Sequence, residues 1–185
     1  MRAFDEEMSE GEWELRETYA SFGRAVHAAS MIETHVVLAL IVGEFLMKLS
    51  KKAARTGGIS AERYKVELRR YKEAQFSQTM GQIIRRVQAL TVFDEALKVR
   101  MREATRRRNF LIHLFLREKV MSLATVEGMR KLREELEDYS QFFGDLSDEI
   151  DRVIRPIEIK FGMNPDESSA FADQVAAKIF GDRGL

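Results

Sequence analysis

Pro156 and Pro165 are the only prolines in a chain of 185 residues. A proline inside a helix costs about 3 kcal/mol, because it removes a backbone donor and clashes with the preceding turn. Their scarcity leaves room for long uninterrupted helices. The rest of the chain is rich in Ala, Leu, Glu, Lys, Arg and Met, residues that lose little on entering a helix. The expected fold class is therefore all-α: an antiparallel helical bundle of four main helices plus a short C-terminal helix. This length suits one domain with a sizeable core. We assign residues 1–163 to the bundle and 164–185 to a C-terminal helical appendage.

Start and stop signals divide the chain. Ser9 and Glu12 stand at capping-box spacing, and Gly57-Gly58 is the matching stop, so one helix from about Ser9 to Arg55 is expected, with a bend near Gly23. A second helical region begins at Ser60 and restarts near Ser77-Gln78-Thr79. A third runs from Thr91 to Val120, and a fourth, highly charged, from Thr125 or Val126 to about Phe161. Asn164-Pro165-Asp166 breaks the chain before a terminal helix from Ser168 to Phe180. Consecutive helices are expected to be neighbours.

Several function classes are excluded or disfavoured by composition. The absence of cysteine rules out a disulfide framework, a thiolate nucleophile and a Cys-ligated metal. There is no Gly-rich phosphate loop, no His-Glu-x-x-His motif and no nucleophile elbow. No metal or cofactor is expected. The start, Met1-Arg2-Ala3-Phe4-Asp5-Glu6-Glu7, lacks the pattern of a signal or transit peptide. The apolar run Val36–Val42 is too short on its own to span a bilayer. A cytoplasmic protein with no membrane partner is expected.

The net charge of zero conceals segregation. Residues 48–119 hold 19 Lys and Arg against 7 acidic residues, and the remainder holds 11 against 23. Such asymmetry fits either a basic surface for a polyanion or solvated helix faces of uneven sign. Of the three histidines, His27 and His35 lie about 80° apart around one helix and read as packing or interface residues. His113 has more informative neighbours. Helical spacing puts Arg102, Arg106, Asn109, His113 and Arg117 on one cationic stripe. The opposite stripe, Met101, Ala104, Leu111 and Phe115, is apolar, yet Arg108 falls within it. A guanidinium there needs a partner, because an unpaired buried charge costs several kcal/mol. On the first helix Glu33 interrupts the apolar stripe Phe22, Val26, Ala29, Val36 and Leu40 in the same way. Either Glu33 meets the Arg108/His113 face, or it is a carboxylate at a wet helix edge.

Arg, Asn and His within six residues suit phosphodiester cleavage without a metal. Imidazole moves protons near neutral pH, and arginine stabilises charge growing on a phosphate. General acid and general base together need two proton-transfer groups, which a symmetric dimer would supply from two copies.

At these residues the chain resembles the HEPN family, helical-bundle proteins whose signature is Arg, a polar residue, three further residues and His. Arg108, Asn109, Phe110-Leu111-Ile112 and His113 match at every defined position. The stretches Phe22–Glu33 and Thr79–Ile84 are similar to a group of uncharacterised bacterial proteins carrying the same segment. The resemblance covers about residues 9–150. It implies a metal-independent endoribonuclease acting as a homodimer, commonly a toxin or phage-defence effector. Arg108 and His113 would be catalytic, with Asn109 as polar helper and Glu33 in support. RNA would be contacted by Arg102, Arg106, Arg107 and Arg117. A cognate antitoxin or operon partner protein is also implied. Inactive members that serve as binding or scaffold modules provide the alternative reading, a dimeric interaction or regulatory module. A third possibility is a regulator that binds nucleotide or RNA through the arginines without cleaving it.

Overall fold

The structure, a computed structural model, describes residues 8–160. The segment 164–185 and its expected helix lie outside the described residues. Ser9 begins the first helix as its spacing predicts. Its hydroxyl accepts from the Glu12 amide, and Glu12 Oε2 accepts from the Ser9 amide at 2.9 Å. This helix, α1 (Glu10–Leu40), continues through a π-helical turn (Ile41–Leu46) into α2 (Met47–Thr56). Gly57, at φ 74°, ends it in the left-handed conformation that glycine adopts without a Cβ penalty. Side-chain caps from Ser60, Thr79 and Asp94 then start α3 (Ala61–Phe76), α4 (Met80–Gln88) and α5 (Glu95–His113). A short α6 (Phe115–Glu118) and a 3₁₀ turn (Val120–Ala124) lead into α7 (Val126–Lys160). The fold is an all-α bundle, with no strand among the described residues.

The core is built on α1 and α7. Ala25, Ala29, Ile32, Val36 and Leu40 recur at steps of three and four on α1, and Leu132, Leu136, Phe143, Leu146, Ile150 and Ile154 keep one face of α7 at steps of three, four and seven. All are buried, and the two helices form the most extensive contact among the described residues. Glu14 meets Arg130 near the start of both helices, and His35 meets Asp151 further along both, so α1 and α7 run parallel. The antiparallel arrangement holds elsewhere. Arg108 on α5 lies against Glu33 and Phe115, at the start of α6, against Phe22, which sets the α5–α6 segment antiparallel to α1. Arg100 to Glu149 and Phe115 to Tyr139 set it antiparallel to α7. Likewise Lys52 meets Glu67 and the Tyr71 hydroxyl reaches the Leu40 carbonyl, so α3 folds back along α2 and the π turn.

Three expectations are corrected. The first helix remains regular at Gly23, and its irregularity falls at Ile41–Leu46, where Gly43 lets Leu90 approach: a Cβ on Gly43 would stand 2.8 Å from Leu90 Cδ1. The third helix starts at Glu95 rather than Thr91, because the Asp94 carboxylate accepts from the Leu97 amide at 2.8 Å. It also stops at His113, where Leu114 (φ −126°) leaves the helical region. Nor are consecutive helices always the main neighbours, since the first and last long helices share the core. Pro156 sits within α7, near its end, where the lost donor affects one late turn. Residues 10–56 include a stretch long and apolar enough to cross a membrane by length and composition, and half of that stretch is buried in the bundle.

Candidate functional site

The register of α5 creates the site. Met101, Ala104 and Leu111 are fully buried, and Arg108 occupies the step between them that a core residue would take. Its guanidinium escapes sideways to α1. Nη2 lies 2.5 Å from Glu33 Oε1, and Nη1 donates to Asn109 Oδ1 at 3.3 Å. Nε is buried and has no hydrogen-bond partner among the described residues. The Arg108 side chain is 23% exposed and that of Glu33 32%, so the pair sits at the rim of the core rather than inside it. Partial dehydration strengthens such a pair relative to a surface one. Of the two readings of Glu33, the structure has the one in which it meets Arg108.

The outer stripe is where helical spacing puts it: Arg102, Arg106, Asn109, His113 and Arg117 are all exposed. His113 ends α5 and engages no polar partner among the described residues, so its imidazole is open to solvent. The helix breaks just after it because Phe115 is drawn wholly into the core. Its ring lies 6.0 Å from Phe22, 6.1 Å from Phe110 and 6.1 Å from Tyr139. Burying such an aromatic outweighs one turn of helix geometry. Arg117 therefore belongs to the short α6 rather than to a continuous stripe.

The cationic side chains differ in freedom. Glu103 takes both Arg107, at 2.9 Å, and Arg106, at 2.5 Å, and their hydrogen bonds hold its carboxyl below the usual range. Arg107 also lies 4.1 Å over the Phe142 ring, so it faces α7 rather than the open stripe. Arg102 donates to Gln88, and Arg117 stands 4.0 Å from Glu118. Among the described residues no group of three His, Asp or Glu is placed to hold a metal ion.

Three polar clusters escaped the sequence reading. Glu14, 2% exposed, meets Arg130 Nε at 2.9 Å and Arg133 Nη2 at 3.0 Å. Its signal is positional, because Glu14, Thr18 and Ser21 extend the buried line of Ala25 and Ala29. Beside the π turn, Arg86 bonds Glu44 (2.7 Å), the Tyr71 hydroxyl (3.1 Å) and buried Gln75. Burial first and the Glu44 charge second push the Tyr71 hydroxyl up to about 12. The acid at Glu44, interrupting an apolar run, was the available clue. His35 Nε2 lies 3.4 Å from Asp151, and Nδ1 lies 2.8 Å from the Met31 carbonyl. The hydrogen bond to Asp151 raises its pKa more than burial lowers it.

Compared with known proteins, the chain matches no family model, no curated protein and no solved structure.

Proposed function

We propose that this chain is a metal-independent endoribonuclease of the HEPN type, a cytoplasmic toxin or phage-defence effector whose composite site forms between two copies. The observation that carries the reading is the solvent-open His113 on the same helix face as Asn109, whose amide oxygen holds the tip of Arg108. In the reaction the ribose 2′-hydroxyl attacks the adjacent phosphorus and the P–O5′ bond breaks. The 2′-hydroxyl proton passes to one imidazole, and the departing 5′-oxygen takes a proton from another. The products are a 2′,3′-cyclic phosphate and a 5′-hydroxyl. Arg108 stabilises the charge that builds on the phosphoryl oxygens. Five residues apart, Arg108 and His113 point about 140° apart around α5, and each copy has one of each, which favours a site shared by two copies. A cognate antitoxin or operon partner would restrain the activity.

The Glu33 contact supports a second reading, a catalytically inactive dimeric interaction or regulatory module, because a guanidinium already held at 2.5 Å by a carboxylate is partly neutralised. Incubation of wild type, Arg108→Ala and His113→Ala with total RNA in EDTA separates the two. The ribonuclease reading expects cleavage by wild type alone, with light scattering showing a dimer for all three. No cleavage by the wild type favours the interaction module.

A further inference from the structure

The polar stripe of α5 absorbs only part of the basic segment. Residues 48–72, spanning α2 and most of α3, hold nine Lys and Arg against two acids, Glu62 and Glu67. Glu67 is engaged by Lys52 at 2.9 Å and Arg63 at 3.0 Å, and Lys48 by Glu44. Lys51, Arg55, Lys65, Arg69, Arg70 and Lys72 are exposed and form no ion pair among the described residues. Lys65, Arg69 and Lys72 follow each other at steps of four and three. With Leu68 and Phe76 they line one shallow groove along α3, where Glu73 is the single acid. The Phe76 side chain, at the end of the helix, is 57% exposed. A helix face shaped for its own stability would alternate charge, because like charges four residues apart, as Lys65 and Arg69 are, weaken it.

We infer that the α3 groove binds single-stranded nucleic acid, with backbone phosphates on Lys65, Arg69 and Lys72 and a base stacked on Phe76. The residue types match the demand: cations to replace the counterions of a polyanion, and one open aromatic face that accepts any base. The inference rests on the ribonuclease reading only for the choice of RNA over DNA, and it gives the substrate strand a docking track separate from the reacting groups.

The test is fluorescence anisotropy of a labelled oligouridylate with the full chain carrying His113→Ala, which leaves the probe intact. Replacing Lys65, Arg69 and Lys72 together by Gln is expected to reduce the slope of log affinity against log salt by about 2, from roughly 0.7 per phosphate contact on a single strand. Phe76→Ala is expected to weaken binding about 5- to 150-fold, the effect of losing one stacked base. Affinity and slope unchanged in both variants would overturn the inference. So would flotation with phosphatidylserine vesicles that depends on these residues while oligouridylate binding does not. Loss of binding in these variants, with no cleavage by the wild type, would leave the groove assigned and remove the ribonuclease reading.

Discussion

Glu33→Ala leaves the Arg108 guanidinium at the rim of the core with Asn109 as its remaining partner among the described residues, and with a buried Nε that has none there. A hydrogen bond to a charged group contributes about 1.5–3 kcal/mol, and removing one partner adds part of the desolvation cost of the other. With a quarter to a third of each side chain exposed, a loss of about 2 kcal/mol is expected. For a chain of this size that lowers Tm by about 4–8 °C. Arg108→Ala removes the charge but leaves Glu33, about two-thirds buried, without that guanidinium, so it too is destabilising. Removing both leaves neither group unpaired, and the double variant should be more stable than the sum of the single losses, by about 1 kcal/mol or more. Urea denaturation of the four proteins at one pH measures this directly. Additivity within about 0.3 kcal/mol would refute the coupling and with it the view that Glu33 holds Arg108 in place.

The raised pKa of His35 has a definite sign. A group protonated more readily in the folded than the unfolded chain stabilises the fold below its unfolded pKa, and that stability is lost as pH rises through the folded value. The urea midpoint of wild type relative to His35→Gln should therefore fall from pH 6 towards pH 8.5, and a flat difference would refute the Asp151 pairing. Glu14→Ala leaves Arg133 without its carboxylate and Arg130 with Glu10 alone, and should cost about 1–3 kcal/mol, since both arginines keep partial access to water. Gly128→Ala would place a Cβ 2.2 Å from the Ser122 carbonyl oxygen and should destabilise by about 1–3 kcal/mol, whereas Gly144→Ala meets nothing within 4 Å and should stabilise by about 0.5–1 kcal/mol. Thermal melts of the two glycine variants that move in the same direction would contradict the packing described.

The starts of α1, α3 and α4 were legible because their chemistry is local, whereas the Asp94 cap of α5 was missed. Ser9, Ser60 and Thr79 cap their helices within three residues of sequence, and Gly57 stops the first one by its own conformational freedom. The Arg108 anomaly was legible too, since a charge on an apolar stripe asks for a partner and Glu33 was the matching charge on another stripe. The break after His113 was not. No glycine or proline marks it, and it exists because Phe115 finds Phe22 and Tyr139 on two distant helices. Non-local packing likewise decides that α1 and α7 run side by side and parallel, and that Arg107 turns to Phe142 instead of joining the outer stripe. The buried Glu14 was hidden because its two arginines lie more than a hundred residues away.

The most direct test of the central claim is the chemistry of the ends produced from a defined single-stranded RNA in EDTA, read by mass spectrometry. The account predicts a 2′,3′-cyclic phosphate and a 5′-hydroxyl at each cut, no cut at a 2′-deoxy position, and no product from His113→Ala. Intact RNA, or products with 3′-hydroxyl ends that persist in His113→Ala, would contradict it.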